Sequence, residues 1–370
     1  MQQIKLSKKI IEQRHKKGIS QEELARYIGV SKAAVSKWEN EQSYPDILLL
    51  PELATYFDIT IDELIGYEPQ LTKEEIRKYY RHYAKKFDGI TENEFEEVFQ
   101  ECQNMVKKYY SCYPFLYQMA VLLLNQAVNV ADRQKVLEYA VELLVRVREE
   151  SEDPNLQKDA ISAQVTCYLM QGESQKAREL LGEDIRPLSQ ETELLAQTYQ
   201  QQGNMEKADE ILQISIYQHM LLAIGDSVSW LLLHTTDYPK AEEIMRRNDE
   251  MVQIFQIDKL HPNVALSYEL ACAQVYCVNQ EYDKAIKALE KYVLICTKNL
   301  FPYKLHGDSY FDKVGDWFEQ FDLGTDAPRG ECAIKQSLIQ SMCANPLLEG
   351  LKGHPRFKQL EKQLKTQLEG

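Results

Sequence analysis

Long apolar runs are missing from this sequence. The longest, such as Met119–Leu124, are far shorter than the ~18–20 residues that a membrane-spanning helix requires. The first segment, MQQIKLSKKIIEQRHKK, lacks the uninterrupted apolar stretch of a secretory signal. Glycine and proline are also scarce, with 15 and 12 in 370 residues, so long irregular loops should be few. We therefore expect a mostly helical cytoplasmic protein with no membrane partner.

Motifs of metal binding and catalysis are absent as well. The eight cysteines form no Cys-x-x-Cys, and the seven histidines form no His-Glu-x-x-His. We expect the cysteines to be small buried hydrophobic residues in a reducing compartment. The sequence also shows no nucleophile with a neighbouring base and no Gly-rich phosphate loop. We therefore predict no catalytic residues, no metal, no cofactor and no enzymatic activity.

Positive charge is concentrated at the beginning of the chain. The whole sequence has a formal net charge of −14, yet residues 1–40 hold nine Lys and Arg against four Glu. Residues 41–67 hold six acidic residues and no Lys or Arg. A small basic segment on an acidic chain is the asymmetry expected when one module binds a polyanion locally.

The basic segment contains the capping and terminating residues of several short helices. Gly18 ends a first helix that begins near Ser7, and Ser20 with Glu23 forms a capping box for a second helix over 21–28. Ser31 caps a third helix over 32–41. Further helices are expected over 46–57 and 62–65. The predicted core of the two central helices consists of Leu24, Ala25, Ile28, Val30 and Val35, with Trp38 also inward.

The string SQEELARYIGVSKAAVSKWENEQSYPD…LPELATYFDITIDELIG resembles the Cro/repressor-type, or XRE, helix-turn-helix family over about residues 4–66. The resemblance implies a DNA-binding domain at 1–67 whose third helix enters the major groove of double-stranded DNA. A bundle that binds something other than DNA is the alternative. The DNA-binding residues that the resemblance and the exposed helix positions indicate are Gln21, Ser31, Lys32, Ala33, Ser36, Lys37, Asn40, Ser43 and Tyr44.

A basic, aromatic helix over 71–87 follows the break at residues 68–70. We interpret residues 68–90 as a linker helix between two domains; contact of this helix with the DNA backbone is the alternative. Residues 91–370 then read as one helix after another. The predicted fold is all-α: a helix-turn-helix bundle followed by an α-solenoid.

A repeated pattern supports the solenoid. In four copies a Tyr or Leu precedes an Ala by nine residues, and a bulky apolar residue follows that Ala by four. The copies are Tyr168/Ala177/Leu181, Tyr199/Ala208/Leu212, Leu232/Ala241/Met245 and Tyr276/Ala285/Leu289. This pattern resembles the tetratricopeptide (TPR) repeat, in which the alanine lets two helices approach closely. The helical tail near residues 345–364 is expected to cap the array, whereas residues 301–330 fit no periodic pattern.

A helix-turn-helix followed by a diverged TPR array resembles the RRNPP-type regulators of Gram-positive bacteria. That resemblance implies a homodimer on a palindromic operator, with a signalling peptide or other effector bound by the array. The TPR register indicates the groove residues Thr166, Gln197, Gln200, Trp230 and Gln274. The alternative is a DNA-binding protein whose array is a docking scaffold for another protein and senses no small ligand.

Overall fold

The structure is a computed structural model that describes residues 6–67, 70–185 and 187–369. Within these ranges every regular element is helical, which confirms the all-α prediction. No helix among them has both the length and the apolar character to cross a bilayer. The chain divides into two compact units, formed by residues 1–80 with 93–180 and by residues 81–92 with 181–370. The predicted domain boundaries at 67 and 90 remain a prediction.

The first unit begins with the predicted bundle and continues as longer helices. The α-helices up to residue 181 are α1 (Leu6–Lys16), α2 (Gln21–Ile28), α3 (Lys32–Glu39), α4 (Leu50–Phe57), α5 (Ile61–Ile65), α6 (Lys73–Lys86), α7 (Glu92–Lys108), α8 (Tyr113–Gln126), α9 (Arg133–Glu150), α10 (Pro154–Gln171) and α11 (Ser174–Leu181). Residues 81–86 of α6 belong to the second unit. Short 3₁₀ turns occupy Ile47–Leu49 and Ala127–Asn129. The predicted helix over 46–57 is therefore two elements, and Ile47 and Leu48 lie exposed before α4.

The second unit contains the remaining repeats and the tail. Its α-helices are α12 (Glu191–Gln201), α13 (Met205–Leu233), α14 (Tyr238–Ile254), α15 (Ile257–Leu260), α16 (Pro262–Val278), α17 (Tyr282–Leu294), α18 (Gly315–Glu319), α19 (Glu331–Cys343) and α20 (Pro355–Glu369). A π-helical turn at Ile295–Asn299 extends α17, and a 3₁₀ helix covers Pro346–Leu351. Phe357, Leu360 and Leu364 of α20 are buried, as a capping helix requires.

The repeat alanines pack as predicted. Ala177, Ala208, Ala241 and Ala285 are all buried. Six of the eight cysteines are also buried, whereas Cys343 is half-buried and Cys332 is exposed. The prediction of cysteines as small core residues therefore holds for most of them.

Helix α13 departs from the repeat pattern. A TPR array would turn back between the second and third copies, but α13 runs without interruption through 29 residues, or about 43 Å. Its first half buries Ala208, Ile211 and Ser215 and packs on α12. Its second half buries Ile224 and Leu231, roughly on the opposite face, and packs on α14 and α16. One helix thus joins two packing layers that the repeat pattern predicts as separate hairpins.

Gly225 tests this continuous helix. It lies in the middle of α13, and no atom beyond the helix's own backbone lies within 4 Å of where a Cβ would be. We expect Gly225→Ala to stabilise the protein by about 0.5–1 kcal/mol, because alanine loses less backbone freedom in a helix. Urea-induced unfolding measured by circular dichroism gives the change.

Gly203→Ala is the matched control. Gly203 has φ +78° in the turn before α13, and alanine there should destabilise the protein by about 1 kcal/mol. A loss of stability in Gly225→Ala comparable to that in Gly203→Ala would show that the chain turns near Gly225 instead.

Candidate nucleic-acid interface

The turn between α2 and α3 is built by local hydrogen bonds. The Ser20 hydroxyl accepts from the Glu23 amide at 3.2 Å, and the Glu23 carboxylate accepts from the Ser20 amide at 2.7 Å, which confirms the predicted capping box. Gly29 ends α2 with φ +77°. The Ser31 hydroxyl then accepts from the Ala34 amide at 3.2 Å and starts α3. These caps fix the lengths of both helices and the sharp turn between them.

A small apolar core holds the two helices together. Leu24, Ala25, Ile28 and Val35 are at most 5% exposed. Trp38 is also 5% exposed and belongs to this core, as predicted. Because these inward positions take one face of α3, the other face is left for solvent or a partner.

An ion-pair network links three elements of the bundle. Arg14 of α1 donates to both carboxylate oxygens of Glu39 at the end of α3, at 2.6 and 3.1 Å. The side-chain Nε2 of Gln21, the first residue of α2, donates to the same carboxylate at 2.7 Å. Arg14 also donates to the Ile19 carbonyl at 2.9 Å, in the loop that leads to α2. The network therefore fixes the position of α3 against α1 and α2.

The network also shifts the acidity of its members. Burial by itself would raise the pKa of Glu39, but the hydrogen bonds from Arg14 and Gln21 outweigh it and hold the pKa below its ordinary value. The hydrogen bond to Glu39 raises the pKa of Arg14. Glu39 therefore stays ionised well into acidic solution, and the link between α1 and α3 persists with it.

The predicted DNA-contacting residues lie mostly on the exposed side of α3 and just after it. Ser36 is half-buried, and the Lys32 ammonium lies 3.9 Å from the Glu22 carboxylate. The side-chain Nδ2 of Asn40 turns back toward α3 and donates to the Ser36 carbonyl at 2.9 Å. The exposed members are Ser31, Lys32, Ala33, Lys37, Asn40, Ser43 and Tyr44.

Gln21 occupies a different environment from the other predicted contacts. It is half-buried, and its side-chain amide is already engaged by Glu39. Its position at the start of α2 still leaves it beside the first-turn backbone amides, which favour an anion. Its predicted contact with phosphate remains a prediction.

Sequence reasoning missed two surface features of this bundle. Tyr27 and Tyr56 pack ring to ring at 4.1 Å, and the Lys17 ammonium lies 5.2 Å from the Tyr56 ring centre. Ile47 and Leu48, expected within the helix over 46–57, are 75% and 78% exposed. Tyr44 is 66% exposed and close to them in sequence. We call Tyr44, Ile47 and Leu48 the head apolar patch, where head denotes the helix-turn-helix domain. The unusual run of apolar residues after Pro45 was the available signal.

The predicted effector residues of the repeats are dispersed. Thr166 is exposed on α10 in the first unit, where its hydroxyl donates to the Ser162 carbonyl at 2.9 Å. The other four are in the second unit. Gln197 and Gln200 are exposed on α12, and Gln274 is half-buried on α16. Trp230 is 46% exposed on α13, with the Lys240 ammonium 4.7 Å from its ring centre.

Comparison with known families agrees with this geometry. The Helix-turn-helix family model matches residues 10–64, which span α1 to α5. Residues 10–64 are a helix-turn-helix domain. A curated relative, the HTH-type transcriptional activator BcrR of Enterococcus faecalis, is 36% identical over 69 residues. That match covers 19% of this chain and 34% of BcrR, so the likeness spans about a third of the relative's length.

Two solved structures align with most of the chain at low similarity. One is Bacillus thuringiensis PlcR in complex with the peptide PapR7 and DNA, with 15% identity and a TM-score of 0.29 over 79% of this chain and 94% of PlcR. The other is the apo form of ComR from S. thermophilus, with 10% identity and a TM-score of 0.24 over 80% and 94%. TM-scores this low do not establish a shared fold for the helical remainder.

The stability of the helix-turn-helix domain is expected to depend on the ionised form of Glu39, and therefore on pH. The folded-state pKa of Glu39 is lowered, so its contribution is complete above the unfolded value, about 4.3, and is lost as the pH falls through the folded value. At pH 7, Glu39→Gln should destabilise the domain by about 3 kcal/mol, because Arg14 loses its charged partner. At pH 3 the difference in the free energy of unfolding between the parent protein and the Glu39→Gln variant should be much smaller.

Thermal unfolding followed by Trp38 fluorescence measures this difference. The protein has three tryptophans, so Trp230→Phe and Trp317→Phe leave Trp38 as the reporter within α3. Glu22→Gln is the matched control, since Glu22 is exposed and its carboxylate lies 3.9 Å from the Lys32 ammonium, a long ion pair. Equal destabilisation by the Glu39 and Glu22 substitutions at pH 7 would contradict the role given to the network.

Proposed function

We propose that this protein is a sequence-specific DNA-binding transcriptional regulator that acts in the cytoplasm as a homodimer. Its helix-turn-helix domain binds a palindromic double-stranded operator, and its TPR-like remainder binds an effector that changes operator binding. The observation that carries this proposal is the exposed polar face of α3 on a helix-turn-helix domain whose opposite face is fixed by a core and an ion-pair network.

The residues of α3 suit the major groove. Lys32 and Lys37 can donate to guanine or to phosphate, Ser36 can bond to several bases, and the Ala33 methyl can contact a thymine methyl. Asn40, after the end of α3, and Ser31, before its start, can hydrogen-bond to the DNA as well. Gln21, Ser43 and Tyr44 are proposed to contact the sugar-phosphate backbone.

A dimer follows from the small size of one domain. A single helix-turn-helix reads only half a site, and two-fold dimers read two half-sites spaced by about one turn of DNA. Ile47 and Leu48 of the head apolar patch support this arrangement, because large apolar side chains this exposed are typical of surfaces that bind a partner.

The effector proposal rests on the repeat pattern and on the resemblance to the RRNPP group. A short signalling peptide is the proposed effector, with Thr166, Gln197, Gln200, Trp230 and Gln274 as its candidate contacts. Amide side chains offer both a donor and an acceptor to peptide backbone. The solved structure of PlcR contains the peptide PapR7 and DNA together, and peptide binding by the present chain is our proposal. We propose no cofactor and no catalytic role.

The docking-scaffold alternative has one specific observation in its favour. Met205, Leu212 and Ile216 lie on one face of α13 and are 58%, 42% and 42% exposed. An open apolar stripe of this kind suits another protein better than it suits a small ligand. Capture of a defined protein partner that Ile216→Glu abolishes would favour the scaffold.

Lys37 gives the most direct test of DNA contact. If Lys37 binds phosphate, Lys37→Ala should weaken binding to all duplexes and reduce the slope of log K against log salt by about one. If Lys37 reads a base, the loss should be about 1–3 kcal/mol and selective for one operator position. Fluorescence anisotropy at several salt concentrations, with the tightest-binding fragment selected from the source genome, distinguishes the two.

Lys362→Ala is the matched control for Lys37→Ala. Lys362 is an exposed lysine on α20, so the substitution removes the same charge outside the helix-turn-helix domain. Affinity and salt slope that are the same in the Lys37 and Lys362 variants would contradict a contact between Lys37 and DNA.

The assembly is tested by light scattering of the purified protein. We expect a mass of twice 43.1 kDa, and a decrease toward one chain when Leu48→Glu places a charge in the head apolar patch. Leu233→Glu, which changes an equally exposed leucine of α13, is the control. A monomer that binds a single half-site tightly would contradict the dimer proposal.

A further inference from the structure

A cavity open to solvent lies in the second unit among α14, α15, α16 and the end of α17. Its volume is about 440 Å³, within the roughly 300–1,000 Å³ that is common for small-molecule sites in proteins. Part of its wall is apolar and is formed by Val252, Leu294 and Ile295. The rest of the wall carries several charged side chains. The cavity therefore combines an apolar surface with groups that can fix the orientation of a ligand.

The charged side chains of this cavity are mostly acidic. Asp249 of α14, Asp258 of α15 and Glu269 of α16 line it together with Lys291 of α17. When all four are ionised, three negative charges stand against one positive charge. A concave site with such an excess attracts a cation in preference to an anion of the same size.

Glu269 is the most buried of the three carboxylates, with a side chain that is 6% exposed. Its Oε1 oxygen accepts from the Lys291 ammonium at 3.0 Å. Among the residues that the structure describes, none donates to its Oε2 oxygen, which is nevertheless not sealed from solvent. Buried carboxylates ordinarily have hydrogen-bond partners for their oxygens. Oε2 is therefore an open position for a donor that enters the cavity.

Lys291 shows which kind of cation this position accepts. Its ammonium is bound at Glu269, although its own side chain is 60% exposed. Such a lysine is held weakly, because fixing its flexible stem costs entropy and water competes for its charge. An ammonium from a ligand can therefore replace it at Oε1 or bind beside it at Oε2.

The other two carboxylates are held in place by neighbouring side chains. The hydroxyl of Tyr268, a fully buried residue, donates to Asp249 Oδ1 at 2.7 Å. The side-chain Nδ2 of Asn299 donates to the Asp258 carbonyl at 3.0 Å. Both acidic residues are thus positioned at the cavity before a ligand arrives, which lowers the entropy cost of binding.

We propose that this cavity binds a primary ammonium group on an aliphatic chain, with Glu269 as its hydrogen-bond partner and Asp249 and Asp258 as supporting charges. The aliphatic chain lies against Val252 and Leu294. The ammonium can belong to the lysine side chain of a peptide or to a free alkylamine. This inference deepens the effector-binding part of the proposed function and rests on it for its biological role.

Methyl NMR of the full-length protein labelled at isoleucine Cδ1 tests the proposal without DNA. Ile295 lines the cavity, and Ile295→Val identifies its resonance. Titration with n-butylamine at pH 8 and constant ionic strength should shift this resonance saturably and leave that of Ile10, in the helix-turn-helix core, unchanged. 1-Butanol, a neutral analogue of similar shape, should bind about ten-fold or more weakly. No saturable shift with n-butylamine, or equal affinity for the two compounds, would overturn the proposal.

The affinity for n-butylamine should also depend on pH. Burial raises the pKa of Glu269 to about 7; Asp249 and Asp258 add to this rise, and Lys291 opposes it. Between pH 8 and pH 6 the ionised fraction of such a carboxyl falls from about nine-tenths to about one-tenth, whereas the amine stays charged. Affinity should therefore fall about ten-fold over this range. Glu269→Gln should bind weakly at both pH values, and a parent protein whose affinity does not change would contradict the role of Glu269.

Lys291→Ala separates a ligand site from a purely structural ion pair. It removes the ammonium that the chain itself places at Glu269, so n-butylamine should bind about five-fold or more tightly, because an attached competitor acts at a high effective concentration. Measurement at pH 9 keeps Glu269 ionised. Lys287→Ala, which removes an exposed lysine of α17 outside the cavity lining, is the matched control. Equal affinity in the two variants, or weaker binding by Lys291→Ala, would contradict the proposal.

The two sources of the ammonium are distinguished by a second titration. N-acetyl-lysine methylamide presents the same butylammonium chain on peptide backbone. Binding of this compound at least as tightly as n-butylamine supports a peptide side chain, and weaker binding supports a free alkylamine. Binding of neither overturns the proposal. Because no DNA is present, that result leaves the proposed operator binding unaffected.

Discussion

The interaction on which the helix-turn-helix domain depends is the shared carboxylate of Glu39. It accepts from Arg14 of α1 and from Gln21 of α2, so one side chain at the end of α3 joins all three helices. A domain of this size has a small core, and its helices would otherwise be held mainly by a few apolar contacts. The network orients α3 by hydrogen bonds on its inward side and leaves the outward side free for polar recognition.

This arrangement explains why the outer face of α3, the proposed DNA-binding surface, can be polar without weakening the domain. Lys32, Lys37 and Asn40 are exposed, and the core contributions of α3 come from Val35 and Trp38. Changes on the outer face should therefore alter affinity or specificity with little effect on folding, because surface substitutions away from caps and cores are usually close to neutral. Gln21 is the exception, since its amide serves the network and is also a candidate contact with phosphate.

The sequence was sufficient for the features that local chemistry determines. The capping box at Ser20 and Glu23, the cap at Ser31 and the buried Trp38 depend on neighbours a few residues away, and each is present in the structure. The link between Arg14 and Glu39 was not predicted, because it joins residues 25 positions apart that no periodic pattern relates. The proposed DNA and effector contacts remain predictions.

The helical remainder shows where pattern reasoning reaches its limit. The repeat spacing identified buried alanines such as Ala208 and Ala241, since close helix packing requires a small residue there. The spacing could not show that α13 is one continuous helix. No residue between the second and third repeat copies necessarily ends a helix, since even Gly225 is tolerated within one. The packing of Phe311 and Phe318 against the Tyr217 ring is a long-range contact, which an aperiodic segment does not reveal.

The central claim is that α3 holds duplex DNA while the rest of the chain sets how two such domains are placed. Hydroxyl-radical footprinting of the tightest-binding genomic fragment, repeated at rising salt, tests it most directly. The account predicts two protected patches on one face of the duplex, about 34 Å or a multiple of it apart, both weakening as salt increases. A single patch, or protection that does not respond to salt, would contradict it.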